Sequence, residues 1–123
     1  MTQYKGVYVL YDNHISLYTK EDIEGQRVAL KESYIRYVLD KLQHGGKYVT
    51  VEIRLAYEDG ETMDVKKYIY DKSSNILSNY VYDATINNYA LMGEQRHASL
   101  DLLAERVHTS TRDTLEFVTT LLM

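Results

Sequence analysis

The chain has 123 residues, a formal net charge of −4 and no cysteine. This length fits one domain with its own core, and the lack of cysteine excludes disulfides, thiolate zinc sites, iron–sulfur clusters and cysteine nucleophiles. The excess of acidic over basic residues argues against a nucleic-acid binder, because such domains concentrate Lys and Arg on one face.

Tyrosine dominates the aromatic residues, with 13 tyrosines beside one phenylalanine and no tryptophan. This bias predicts that many rings keep their hydroxyl in water or on a partner. The alternative is a set of half-exposed rings on a two-layer sheet fold, without a functional role. The sequence has neither a long uncharged apolar run nor a signal-peptide pattern at its start, so we expect a cytoplasmic protein without a membrane span.

The first part of the chain predicts a β-hairpin over residues 4–19, followed by a helix from near Gln26 to about His44. Gly45-Gly46 ends that helix. Its apolar stripe is wider than one sheet face requires, so the flank of the stripe either packs under another element or is offered to a partner. That flank consists of Leu30, Tyr34 and Tyr37.

Residues 48–70 predict a second hairpin, around which the sheet is organised. Residues 48–57 alternate between the two faces with the period of a half-buried strand, and Glu58-Asp59-Gly60 is a three-residue turn. The register that best matches side chains across the hairpin pairs Leu55 with Met63, Arg54 with Asp64, Ile53 with Val65, Glu52 with Lys66, Val49 with Ile69, and Tyr48 with Tyr70. In this register Lys67 falls on the apolar face opposite Val51, so it must reach an edge or mark a bulge.

Residues 76–83 predict a third strand of the same meander, and residues 84–93 predict a loop because they have no clean period. If the even-numbered face of the third strand continues the polar side of the hairpin, the sheet carries one tyrosine patch. The predicted patch consists of Tyr48, Tyr68, Tyr70, Tyr80 and Tyr82.

The pattern is helical again from Glu94. A single helix to the end of the sequence is one interpretation. Residues 108–111 are rich in helix-capping side chains, however, and favour two helices at about 94–107 and 111–122. The tail is too apolar for a frayed terminus, which predicts that it docks on the sheet or on a second copy of the chain, as in a homodimer.

The predicted elements follow the order ββαβββαα. This order indicates an α+β domain with an antiparallel sheet of about five strands, one central helix and two C-terminal helices packed mainly on one face. No internal repeat or linker divides residues 1–123, so we expect a single domain.

Two groups of polar residues have the composition of a metal or catalytic site. The first lies on one face of the predicted 94–107 helix and its C-terminal end, where a solvated polar face is the favoured interpretation, so we predict no bound metal. It consists of His97, Asp101, Glu105 and His108. The second comprises Glu52, Asp64 and Lys66, as in a metal-dependent nuclease, but the predicted register gives each carboxylate a cationic neighbour.

Nucleophilic catalysis has no support, since the sequence lacks a nucleophile elbow and a phosphate-binding glycine loop. The features together favour a non-enzymatic protein–protein interaction module without a cofactor, which occupies a surface of another protein. Small accessory proteins of phages and other mobile elements often have this character, including anti-CRISPR inhibitors of host defence. This comparison is an analogy and not an inference from the residues.

Three alternatives stay open. One is a small-ligand binder, such as a receptor for a nucleotide signal, with a pocket between sheet and helices. The others are a metal-dependent hydrolase that uses the 97–108 face, and a structural subunit of a larger assembly. For the interaction module, the predicted partner-binding residues are the tyrosine patch with Leu30, Tyr34 and Tyr37, and with Glu52 and Asp64 at the rim.

Overall fold

The computed structural model describes residues 4–11, 14–19, 36–37, 39–41, 43–44 and 46–122. Within these ranges lie β1 Tyr4–Tyr11, β2 His14–Thr19, β3 Tyr48–Tyr57, β4 Thr62–Asp71, β5 Ile76–Asp83, β6 Asn88–Gln95 and a C-terminal helix, Leu100–Leu122. The strands form one sheet in the order β2-β1-β3-β4-β5-β6, and all neighbouring strands are antiparallel. The predicted α+β class is confirmed, with one strand more than expected.

The C-terminal helix packs on one face of the sheet, which we call the first face. Alternating side chains of the central strand β3 lie on this face and are buried, among them Val49, Val51 and Ile53. Leu103 and Val107 of the helix are fully buried and belong to the same apolar cluster. The cluster also contains Val7, Val9, Tyr11, Leu39, Tyr68, Tyr70, Leu77, Ala98, Ala104 and Leu115.

Ser99 caps the C-terminal helix, because its Oγ accepts a hydrogen bond from the backbone N–H of Leu102 at 3.2 Å. The helix then continues for 23 residues. The prediction of two helices, the first starting at Glu94, is therefore wrong. At the predicted break the buried Thr111 hydroxyl donates to the carbonyl of Val107 at 2.7 Å, so a side chain that resembled a cap is satisfied inside the helix. No helix in the described ranges is apolar enough over its length to cross a lipid bilayer.

The β3–β4 hairpin changes register at a β-bulge. Next to the turn, the predicted pairs Leu55–Met63 and Arg54–Asp64 are confirmed, but Val65 then has no partner on β3. The pairs beyond the bulge are Ile53–Lys66, Glu52–Lys67, Val51–Tyr68, Thr50–Ile69, Val49–Tyr70 and Tyr48–Asp71. The predicted pairs Ile53–Val65, Glu52–Lys66, Val49–Ile69 and Tyr48–Tyr70 are wrong.

The bulge exchanges the two faces of β4, as any displacement by one residue must. Tyr68 and Tyr70 therefore lie on the first face, where they are only 3% and 5% exposed, and not on the polar face that the sequence predicted. Lys67 lies on the opposite face across from Glu52, and not on the apolar face. Burial of the two rings favours the bulged register, because each buried tyrosine removes about 150–250 Å² of surface from water.

The strand β6 replaces the loop predicted for residues 84–93. A tight turn joins it to β5: the carboxylate of Asp83 accepts hydrogen bonds from the hydroxyl and the backbone N–H of Thr85, at 2.6 and 2.9 Å. These bonds, the hydroxyl first, lower the pKa of Asp83. Asn87 has a φ of 50°, the left-handed conformation that asparagine tolerates in turns. A bulge at Met92 interrupts the alternation of β6, which explains why the sequence showed no period there.

The predicted central helix is described in part. Residues 36–37 and 39–41 are helical, while residues 26–35 lie outside the described ranges, as do residues 12–13 between β1 and β2. Leu39 is buried in the core. Arg36 Nη1 is 3.1 Å from Asp101 Oδ1, so this segment lies beside the first turn of the C-terminal helix.

Gly60 closes the β3–β4 turn with a φ of +93°, which side chains of L-residues disfavour. An added Cβ would have nothing within 4 Å, so the cost of Gly60→Ala is backbone strain alone. We expect this variant to lose about 1–2 kcal/mol of the free energy of unfolding, measured by urea denaturation. Gly46→Ala is the matched control, since its Cβ position is equally open and its φ is not left-handed. Equal losses in the two variants would contradict this explanation.

Candidate functional site

The sheet face turned away from the C-terminal helix, which we call the second face, gathers charged and tyrosine side chains from four strands. Cross-strand pairing and strand order bring them together. The group, here named the tyrosine–charge cluster, consists of Glu52, Arg54, Asp64, Lys67, Tyr82 and Tyr89.

Arg54 links the two carboxylates of the cluster. Its Nη2 donates to Glu52 Oε2 at 2.7 Å, and its Nε is 2.9 Å from Asp64 Oδ1. Burial alone would lower the pKa of Arg54, but the two carboxylates outweigh it and the pKa is raised. Lys67 Nζ lies 3.8 Å from Glu52 Oε1. Both carboxylates are therefore neutralised by cations and are poor ligands for a metal ion.

Tyr89 connects this charge network to the aromatic rings. The Lys67 ammonium lies 5.6 Å from the centre of the Tyr89 ring, within the range of a cation–π contact. The rings of Tyr82 and Tyr89 meet edge to face, with centroids 5.7 Å apart. The Tyr82 hydroxyl donates to Asn87 Oδ1, which ties the cluster to the β5–β6 turn.

The hydroxyl of Tyr89 is buried and has no hydrogen bond of normal geometry within the described ranges. Burial, with the negative charges of Asp64 and Glu52, raises the pKa of Tyr89. The group therefore stays a neutral phenol at physiological pH and cannot act as a base.

The structure separates the predicted partner-binding residues. Tyr80 and Tyr82 lie on the second face with Glu52 and Asp64. Tyr48 is 53% exposed at the start of β3. Tyr37 is exposed as well, whereas Leu30 and Tyr34 lie outside the described ranges.

Tyr68 and Tyr70 were predicted to bind a partner, and this prediction is wrong because both side chains lie in the core. The Tyr68 hydroxyl shares a hydrogen bond with Ser110 Oγ at 2.5 Å, and burial raises the pKa of Tyr68. The Tyr70 hydroxyl donates to Asn75 Oδ1 at 2.7 Å. These contacts fasten β4 to the C-terminal helix and to the β4–β5 turn.

The β5–β6 hairpin carries half of the large apolar side chains that are exposed in the described ranges. Ile86, Leu91 and Met92 are 59%, 51% and 64% exposed; the other three are Tyr37, Tyr48 and Met63. β6 is also the last strand of the described sheet, so no described strand pairs with its outer edge. The sequence analysis missed these residues because it assigned them to a loop. The available signal for a hairpin was the Asn87-Asn88 pair, which lies between Tyr82 and Tyr89.

No family model, curated protein or solved structure matches the chain. Function is therefore inferred from its own geometry.

The two polar groups with the composition of a metal or catalytic site are not assembled in the arrangement that the sequence suggested. His97 precedes the C-terminal helix and has a φ of 55°, so it does not share a helix face with Asp101 and Glu105. The described ranges contain no group of three or more His, Asp or Glu placed to hold a metal ion, and His108 does not complete one. In the nuclease-like group, the bulge moves Lys66 to the first face, away from the carboxylates.

Proposed function

We propose that this protein is a binding module that recognises another protein through the outer edge of β6 and the neighbouring second face. The observation that carries the proposal is the concentration of Ile86, Leu91 and Met92 on one edge hairpin. Apolar side chains exposed singly need no explanation, but three large ones on a single hairpin indicate a binding surface.

The edge of β6 offers a backbone contact as well. An unpaired strand edge is a template for an added strand, and natural proteins usually protect such edges with charged side chains, proline, a β-bulge or a covering element. β6 contains neither lysine nor proline, its bulge interrupts the pairing with β5 only at Met92, and its side chains are mostly exposed. The partner is thus expected to supply an extended segment, with apolar side chains that meet Leu91 and Met92.

The second face supplies the rest of the proposed interface. Tyr80, Tyr82 and Tyr89 present rings next to the edge, and tyrosine is among the residues enriched at binding hot spots. The neutralised charges of Glu52 and Asp64 suit a polar rim.

The biological role that we propose is that of a small cytoplasmic accessory protein of a phage or another mobile element, which blocks a host defence protein by covering its surface. Small size and the absence of a metal-binding group of His, Asp or Glu in the described ranges support this by analogy. Self-association through the C-terminal helix stays a prediction, to be tested by light scattering at several concentrations.

Met92→Lys tests the proposal. A charge at an anchor position should weaken capture of the partner about 30-fold or more, as expected for a hot spot, while the melting temperature stays close to that of the natural chain. The measurement is affinity capture from host lysate followed by titration of the captured protein. Tyr48→Lys is the matched control, because Tyr48 is 53% exposed on β3 and two strands lie between β3 and β6. Capture that survives Met92→Lys, or that both variants lose equally, would remove β6 from the interface.

A further inference from the structure

The two turns that follow β4 and β5 share one sequence pattern. In each, a tyrosine and an aspartate end the strand, and a hydroxyl residue and an asparagine follow at the same spacing. The two copies are Tyr70-Asp71-Lys72-Ser73-Ser74-Asn75, here named the first turn, and Tyr82-Asp83-Ala84-Thr85-Ile86-Asn87, the second turn. Both copies lie within the one sheet, so the repeat is a local feature of its turns.

The two turns also share their side-chain hydrogen bonds. The aspartate Oδ1 accepts bonds from the hydroxyl and the backbone N–H of the residue two positions later, at 2.6–3.0 Å in both turns. The asparagine Oδ1 accepts a bond from the tyrosine hydroxyl. Asn75 and Asn87 are left-handed, with φ values of 57° and 50°. The backbone N–H of this asparagine donates to Asp71 in the first turn and to Ala84 in the second, so the turns close one residue differently around the same left-handed residue.

A segment of the chain itself covers the first turn. The backbone N–H of Ala98 donates to the carbonyl of Asn75 at 2.8 Å, and the carbonyl oxygen of Ala98 lies 3.4 Å from the Tyr70 hydroxyl. Ala98 is buried and belongs to the apolar cluster. His97 before it has a φ of 55°. The cover is thus a left-handed residue followed by a small apolar one.

The second turn has no such cover in the described part of the chain. No described backbone N–H donates to the carbonyl of Asn87, and the ring of Tyr82 is half-buried on the second face. The tip of the second turn is also more apolar, because Ile86 occupies the position of Ser74 in the first turn and is 59% exposed. The exposed apolar surface of the β5–β6 hairpin therefore extends to a turn whose equivalent is covered elsewhere in the same chain.

The way in which the chain covers the first turn defines how a partner would cover the second. β6 pairs antiparallel with β5 and ends at Gln95 near the first turn, and the chain then bends over that turn to reach Ala98. A partner strand that pairs antiparallel with β6 would likewise end near the second turn. The partner chain would then bend toward the second face, since Tyr82 lies there.

We propose that the second turn is covered by a segment of the partner that repeats the chemistry of His97-Ala98. This inference rests on the proposed function and deepens it by naming the backbone contacts of the partner. A small residue lies against Tyr82 and donates its N–H to the carbonyl of Asn87. The residue before it is one that adopts a left-handed conformation easily, such as glycine or asparagine. A second copy of the chain does not supply this segment, because its own Ala98 already covers its first turn.

The probe for this site is a synthetic peptide with the sequence of residues 88–99, which carries a strand and the covering segment of this chain. Its ends are acetylated and amidated. Titration into the isotope-labelled protein, followed by two-dimensional NMR, should shift the amide signals of β6 and of Asn87. A matched peptide with N-methylalanine in place of Ala98 lacks the donated N–H. It should bind about 3- to 10-fold more weakly, with no shift at Asn87.

Two variants of the protein test the turn itself. Tyr82→Phe removes the hydroxyl that holds the Asn87 side chain and should weaken binding of the unmodified peptide about threefold or more. Tyr80→Phe, on the same face but outside the turn, should leave the affinity unchanged.

The positions of the NMR shifts decide the outcome. Shifts at Asn75 in place of Asn87 would show that the peptide displaces the chain's own cover, and would overturn the inference. Shifts along β6 alone would overturn it as well, while they would leave the edge of β6 as the proposed interface. Absence of all shifts would overturn the inference, whereas loss of partner capture in Met92→Lys would then still support the proposed function.

Discussion

Replacing Tyr68 by alanine is expected to lower the free energy of unfolding by about 3–5 kcal/mol. The ring lies opposite Val51 at the centre of the sheet, is 3% exposed and carries a hydroxyl bonded to Ser110. Its removal leaves a cavity under the C-terminal helix and breaks the contact between helix and strand. Urea denaturation followed by far-UV circular dichroism measures the loss.

Two variants separate the contributions of the ring and its surroundings. Tyr68→Phe keeps the ring and removes only the hydrogen bond, so it should lose about 0.5–1.5 kcal/mol. Tyr48→Ala removes a ring that is 53% exposed and should change stability by no more than about 0.5 kcal/mol. If Tyr68→Ala were as stable as Tyr48→Ala, the ring would not be in the core and the register beyond the bulge would be wrong.

This contrast changes how the interface must be tested. Alanine at Tyr68 or Tyr70 would reduce binding simply by unfolding the chain, since both rings are buried in the core. Exposed positions such as Met92 report on recognition without that confusion.

The sequence predicts the β3–β4 hairpin near its turn and fails beyond the bulge for a physical reason. Both registers place one lysine on the buried face: Lys67 without the bulge, Lys66 with it. Polarity at that point therefore does not discriminate between them. What decides is further along, where the bulge buries the rings of Tyr68 and Tyr70.

The C-terminal helix and β6 were misassigned for different reasons. Ser110 and Thr111 have side chains that favour helix caps, but inside a buried helix Thr111 bonds to the carbonyl one turn back. β6 has a bulge and exposed side chains along most of its length, so it lacks the alternation by which strands are recognised. The misassignment hid Tyr89 and Met92, which are central to the proposed interface.

Deletion of Ile69 is expected to abolish folding. The chain then has two ways to pair β4 with β3. If the bulge stays, the residues that follow the deletion exchange sheet faces, so that Asp71 lies opposite Val49 on the buried face. If the bulge is lost, Lys67 replaces Tyr68 opposite Val51, which is fully buried. Either way a charge enters the core and a tyrosine leaves it, at a cost of at least about 5 kcal/mol, comparable to the stability of a whole domain.

Deletion of Lys67 is the matched control, because it shortens the same strand by one residue with the opposite consequence. Loss of the bulge then places Val65 opposite Ile53 on the first face and moves Lys66 across from Glu52, while Tyr68 keeps its position. This variant should fold and unfold cooperatively, with a change in stability below about 2 kcal/mol. Far-UV circular dichroism and thermal melting of the two deletions decide the matter. Two folded deletions, or two unfolded ones, would show that the bulge does not set which side chains of β4 reach the core.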